Sequence, residues 1–241
     1  MSVERATRTT GAWLRYAWLA GIVYVVALVA ESAVGTGGVS LTTNDSPAKI
    51  ATRLHEHRVS ALVIAYLSVV YAVAFAIYIW RLYDFLREQT PRPLTSPALV
   101  LIGGVPFITL HAVSDIGITG LLGAKLGSYG AQHDAGLSYT LYLLTYALDS
   151  VGDVFGSLAL LATGLLTVRS GILPRWLGWF AIAAGCLFVL QGFGLGGVIA
   201  TFGLVLDLIG FLLFLIFVLA SSIILLRRGG AVPGRHVAVP A

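Results

Sequence analysis

Val59-Ser-Ala-Leu-Val-Ile-Ala-Tyr-Leu-Ser-Val-Val-Tyr-Ala-Val-Ala-Phe-Ala-Ile-Tyr-Ile-Trp80 runs for 22 residues without a charged side chain. As a helix rising 1.5 Å per residue it covers the ~30 Å hydrocarbon layer of a bilayer. A soluble helix of that length carries a charged stripe for water, and this one has none. Five more apolar stretches lie outward of it, at about 12–34, 97–120, 137–168, 175–193 and 198–226, and the quoted stretch itself extends over 59–86. Trp176 to Leu206 is uncharged but too long for one span, and the glycine-dense Gly192-Phe-Gly-Leu-Gly-Gly197 divides it. No strand precedes that run, so it is not a phosphate-binding loop.

Composition agrees. The chain is 58% apolar and 11% charged, against ~25% charged in soluble domains. Lipid tolerates an apolar exterior where water does not, which excludes a soluble globular enzyme. The fold class read from the sequence is all-α: a polytopic membrane helix bundle of six transmembrane helices with a short outer amphipathic helix. Residues 1–228 form one domain, and 229–241 form a disordered cytoplasmic tail. The single Cys186 permits no intrachain disulfide.

The basic residues set the orientation. With alternating sides, Arg5, Arg8, Arg15, Arg81, Arg87, Arg92, Arg169, Arg175, Arg227, Arg228 and Arg235 fall together, opposite Lys49, Arg53, Arg58 and Lys125. The positive-inside rule then puts both termini in the cytoplasm of a multi-pass cell-membrane protein. Scattered among turns, these cations offer no surface to nucleic acid. Arg5, Arg8 and Arg15 ahead of Ala17 to Ala30 also have the layout of a signal peptide, but Trp13, Tyr16 and Trp18 resemble an interfacial belt and favour a retained helix. Between the first two spans, Ser46-Pro47 reads as N-cap and first helical residue. Pro47, Ile50, Ala51 and Leu54 then repeat at helical spacing opposite Lys49, Arg53 and Glu56, as in a surface helix or lid.

Six ionisable residues fall where lipid should be: Glu31, His111, Asp115, Asp149, Asp153 and Asp207. Each charge costs at least ~2.5 kcal/mol at a span centre, so none should face lipid. In the fourth span Tyr142, Thr145, Tyr146, Asp149, Gly152, Asp153 and Gly156 share one stripe, opposite Leu141, Leu144, Leu148, Val151, Phe155 and Leu158. Gly152 and Gly156 form a small-xxx-small pair that admits a neighbouring helix, and Gly203, Asp207 and Gly210 repeat the arrangement in the last span. His111 and Asp115, one turn apart, are spaced for an imidazole–carboxylate pair. Counted from the span ends, four helices deliver acids to the outer half of the membrane, which implies a polar cavity open to the outside. The alternative for any single acid is a protonated carboxyl bonded to a neighbouring carbonyl.

No metal site is expected: there is no HExxH and only one histidine within the spans, although a mixed His/carboxylate set suits a divalent cation. His55 and His57, two apart, point in nearly opposite directions. No haem is expected with a single intramembrane histidine, and no retinal without a lysine in any span. Ser114 beside Asp115 makes no nucleophile, because adjacent helical residues diverge. Tyr66, Tyr71, Phe75, Tyr78, Tyr139, Tyr142 and Tyr146 are available to line a cavity or to pack.

Gly164-Leu-Leu-Thr-Val-Arg-Ser-Gly-Ile-Leu-Pro-Arg-Trp-Leu-Gly178 resembles the signature turn of a bacterial, chiefly actinobacterial, six-helix membrane protein family known only as a domain of unknown function. Arg15-Tyr-Ala-Trp-Leu-Ala-Gly21 and Ser46-Pro-Ala-Lys-Ile50 share the resemblance. It implies the architecture and transfers no activity. Two functions fit the residues. One is a non-enzymatic protein whose outward acidic/His cavity, lined by the six ionisable residues, binds a small cation, proton or amphiphilic solute as a permease or resistance component. The other is an intramembrane acid–base enzyme acting on a lipid or isoprenoid, a cyclase, isomerase or hydrolase, with Asp149, Asp153, Asp115 or Asp207 as the catalytic acid. A sensor or assembly partner pairing its acids with a basic helix is a third.

Overall fold

A computed structural model describes residues 16–38, 45–89, 95–122, 135–192 and 200–228. Among these the helices are α1 (Leu19–Gly38), α2 (Pro47–Glu56), α3 (Arg58–Gln89), α4 (Thr95–Ala112), α5 (Ala135–Ser170), α6 (Arg175–Gly192) and α7 (Ala200–Arg228). α4 runs directly into a π-helix, Val113–Leu122. No strand occurs among the described residues. Arg58–Gln89, Pro97–Gly117, Ala135–Ser170 and Leu208–Arg228 are long and apolar enough to cross a membrane, and Leu19–Gly35 and Arg175–Gln191 are shorter apolar helices. They mark the chain as a membrane protein. Of the expected segment 12–34, residues 12–15 lie outside the described residues; Tyr16 is helical, and a turn at Ala17 and Trp18, whose carbonyls accept from Ala20 and Gly21, separates it from α1. The tail 229–241 and most of the glycine run after Gly192 lie outside the described residues.

Local chemistry accounts for the punctuation. The Ser46 hydroxyl accepts the Lys49 N–H at 3.3 Å and caps α2, with Pro47 at its first position. Ile50, Ala51 and Leu54 are buried as α2 packs on α5, while Lys49, Arg53 and Glu56 stay exposed. Pro47 is exposed as well, since the first turn projects beyond the contact. Between α5 and α6, Gly171 takes φ 66° and donates to the Thr167 carbonyl at 3.0 Å, ending α5. Arg228 Nη1 donates to the Ile172 carbonyl at 2.5 Å and ties the end of α7 to that turn.

The six apolar helices close into a ring: α1 packs on α3, α3 on α4, α4 on α5, α5 on α6, α6 on α7, and α7 back on α1. Aromatic rings fill its centre at one level. Phe75 of α3 lies 5.4 Å from Phe107 of α4 and 6.1 Å from Phe214 of α7, centroid to centroid. Tyr24 of α1 sits 4.8 Å from Phe75, and Phe188 of α6 sits 5.6 Å from Phe214. Such pairs add ~0.5–1.5 kcal/mol each beyond the area they bury.

α5 contributes a gap instead of a ring. A Cβ on Gly156 would lie 2.6 Å from Phe107 Cδ2, so glycine is the only residue that admits the Phe107 ring. The expected small-residue pair therefore receives side chains. The helix backbones approach one turn away at Gly103, where a Cβ would lie 2.5 Å from the Phe155 carbonyl oxygen. Gly156→Leu should cost ~1–3 kcal/mol through overpacking, read as a lowered melting temperature in detergent, whereas Val151→Leu on the exposed face of α5 should shift it little.

Candidate functional site

Directly against the aromatic level lies a cavity of about 260 Å³. The neighbouring helices run antiparallel, so residues from each reach it in register. α1 supplies Tyr24, Leu28, Glu31 and Ser32, and α3 supplies Tyr71. Phe107, Ile108 and His111 come from α4, with Asp115 from the π-helix. Asp149 and Asp153 come from α5, Phe188 and Gln191 from α6, and Phe211 and Phe214 from α7. From Tyr24 to Glu31 a helix rises ~10 Å, which sets the depth from aromatic floor to uppermost acid.

Glu31, His111, Asp115, Asp149 and Asp153 thus line one chamber. Asp207 lies on α7, but its side chain falls outside the described residues. The pairing differs from the expected His111–Asp115 contact. His111 Nε2 faces Asp153 Oδ1 across the α4–α5 boundary at 3.5 Å, and Asp115 accepts a short hydrogen bond from the Tyr71 hydroxyl. The helix changes to π geometry at Val113, between the two residues, and turns Asp115 toward α3.

The proton position on His111 follows from its other bond. Nδ1 lies 2.9 Å from the Phe107 carbonyl oxygen, which only accepts, so Nδ1 carries the hydrogen. Nε2 is left to share a proton with Asp153. The imidazole fits there because α5 has no side chain at Gly152, where a Cβ would lie 2.7 Å from His111 Cε1 and Nδ1. Its ring also packs 4.4 Å from the Phe107 ring, joining the polar layer to the aromatic floor.

Asp149, one turn from Asp153, differs from its neighbours. Its Oδ1 is sealed from solvent and has no hydrogen-bond partner. Beside it Ser114 is fully buried and donates to the Thr145 carbonyl at 3.4 Å, fastening the π-helix to α5. No Lys or Arg stands among the described lining residues. Four carboxyls therefore face one imidazole.

The remaining candidates divide by burial. Tyr71, Phe75 and Tyr78 are buried, with Tyr78 hydrogen-bonded to Ser221 at 2.8 Å below the floor. Tyr66 is 74% exposed and Tyr146 is exposed on α5, so neither belongs to the chamber. Tyr142 and Tyr139 are half-buried. On the expected outward stripe, Leu144 and Val151 are exposed, but Phe155 packs against the core. His57 Nε2 accepts from Arg53 at 3.4 Å at the C-terminal end of α2. Sequence reading did not name Tyr24, Phe107, Phe188, Gln191, Phe211 or Phe214. Aromatic residues at corresponding depths of antiparallel spans were the available signal.

A family model for a domain of unknown function, DUF4386, matches residues 19–229. The chain belongs to that family. No curated protein and no solved structure matches it at a significant level. Every chamber residue, from Tyr24 to Phe214, lies within the matched segment. The family adds no chemistry, so the chamber is interpreted from its own groups.

Removing the Tyr71 hydroxyl leaves Asp115 without its donor. Tyr71→Phe should cost ~1–3 kcal/mol of stability, measured by denaturation in lipid nanodiscs, while Tyr66→Phe, which loses only an exposed hydroxyl, should stay within ~0.5 kcal/mol of the parent.

Proposed function

We propose that this protein is a six-span membrane protein, both termini cytoplasmic, whose chamber faces outward and binds a small cationic or amphiphilic solute, as a permease or resistance component would. One observation carries the reading: carboxyls from α1, the π-helix and α5 gather around one cavity with no lysine or arginine among its described lining residues. A buried acid without a cation costs several kcal/mol unless it takes up a proton, so such a site favours a positive guest. The orientation is supported by the eleven-to-four split of basic residues, and by Arg81 and Arg87 standing at the end of α3 far from Tyr71.

The engagement of the neighbouring acids argues against the enzymatic alternative. Asp115 and Asp153 are already engaged with Tyr71 and His111, which leaves neither free to serve as the catalytic acid.

The two roles open to Asp149 predict opposite stabilities. A structural acid destabilises the protein when neutralised, whereas a binding acid held buried without a cation is a strain on the empty fold. Asp149→Asn should therefore raise the melting temperature of purified, ligand-free protein, by ~1–3 kcal/mol of stability, and abolish the shift produced by cationic members of a panel of cationic, neutral and anionic small solutes. Cation-induced stabilisation unchanged in both Asp149→Asn and Asp207→Asn would overturn the proposal.

Orientation has its own check. On a Cys186→Ser background, a membrane-impermeant thiol reagent applied to intact cells should label Lys49→Cys, and should label Arg169→Cys only after permeabilisation. The reverse pattern contradicts the outward chamber.

A further inference from the structure

We propose that the guest is a compact organic ammonium ion, with its positive nitrogen at Asp149 and its hydrocarbon body on the aromatic floor. The inference rests on the chamber being a binding site and specifies the chemistry it selects. Two features of one cavity lead to it. Asp149 lines the chamber beside Ser114, and its buried Oδ1 has no hydrogen-bond partner, so the carboxylate keeps acceptor capacity for an N–H donor or a cationic centre. Opposite the acid layer, Phe107, Phe188, Phe211 and Phe214 supply an apolar surface whose faces attract a cation and whose area receives an alkyl group.

An inorganic cation is matched poorly by the same walls. A hard ion needs six to eight oxygens at ~2.3–2.6 Å, or retains water in their place. Among the described residues no group of three or more His, Cys, Asp or Glu is arranged to hold a metal ion. Asp115 and Asp153 already face Tyr71 and His111. The cavity is several times larger than a bare ion, and half of its named walls are aromatic or aliphatic. An anion is opposed by the carboxyls. A neutral solute of the same shape would gain the floor but leave Asp149 unpaired, and rejection of such isosteres is the usual consequence of a buried polar group awaiting a partner.

The test compares isosteres. Full-length protein in lipid nanodiscs is titrated calorimetrically at pH 7 with cyclohexylammonium chloride, with cyclohexanol, and with potassium chloride at matched ionic strength. The amine is charged at that pH as a lysine amine is. Saturable binding of cyclohexylammonium is expected, with cyclohexanol and potassium at least about tenfold weaker. Asp149→Asn should remove the preference for the ammonium over the alcohol, and Phe211→Leu should weaken the ammonium several-fold while keeping the preference. Asp149→Ser gives the same comparison if Asp149→Asn does not fold. Potassium binding as tightly as the ammonium, or the alcohol binding equally well, overturns the ammonium assignment and leaves a chamber that binds something else. No saturable binding of any of the three overturns the assignment together with the reading beneath it.

Discussion

A carboxyl enclosed by apolar helices has two ways to persist: it finds a donor or cation, or it carries a proton. Everything particular about this molecule follows from how its acids meet that condition. Asp153 has the His111 imidazole, and Asp115 has the Tyr71 hydroxyl. Asp149 stands beside Ser114 with no lysine or arginine against it among the described residues, and its buried Oδ1 has no hydrogen-bond partner. The first two acids hold helices together across α4–α5 and α3–π contacts. The third is the acid to which the proposed guest is assigned.

The ring of helices makes this arrangement possible. Each apolar helix packs on the next, and five of the six send an aromatic ring to the centre while α5 offers Gly156. The rings close the chamber on one side, so polar groups and floor lie about two helical turns apart. His111 belongs to both layers. It packs at a tilt on the Phe107 ring, donates to the Phe107 carbonyl and faces Asp153. Replacing that one residue would change the floor, the proton and the helix contact together.

Much of the architecture was legible in the sequence because its signals are local. Ser46-Pro47 caps α2, Gly171 and Pro174 bracket the α5–α6 turn, and helix limits follow apolar runs. The gathering of Glu31, His111, Asp115, Asp149 and Asp153 was also legible, since an ionisable side chain in an apolar run has few places to go. Partner choice was not. His111 and Asp115 share a turn by spacing, but the π-helix that parts them leaves no mark that periodicity detects. The aromatic floor was missed for a related reason. Helices apolar on every side carry almost no amphipathic signal, so Phe107, Phe188 and Phe214 look in sequence like any lipid-facing residue. Tyr146 shows the converse error, an amphipathic ring placed inside by spacing and found exposed.

The claim that acids of different helices meet in one chamber is tested most directly by a double-mutant cycle between His111 and Asp153, using His111→Gln, Asp153→Asn and the double variant, with unfolding free energies measured in nanodiscs. Residues in contact should give a coupling of ~0.5–3 kcal/mol. Free energies that add to within ~0.3 kcal/mol would mean the two side chains do not meet, and the chamber as described would not exist.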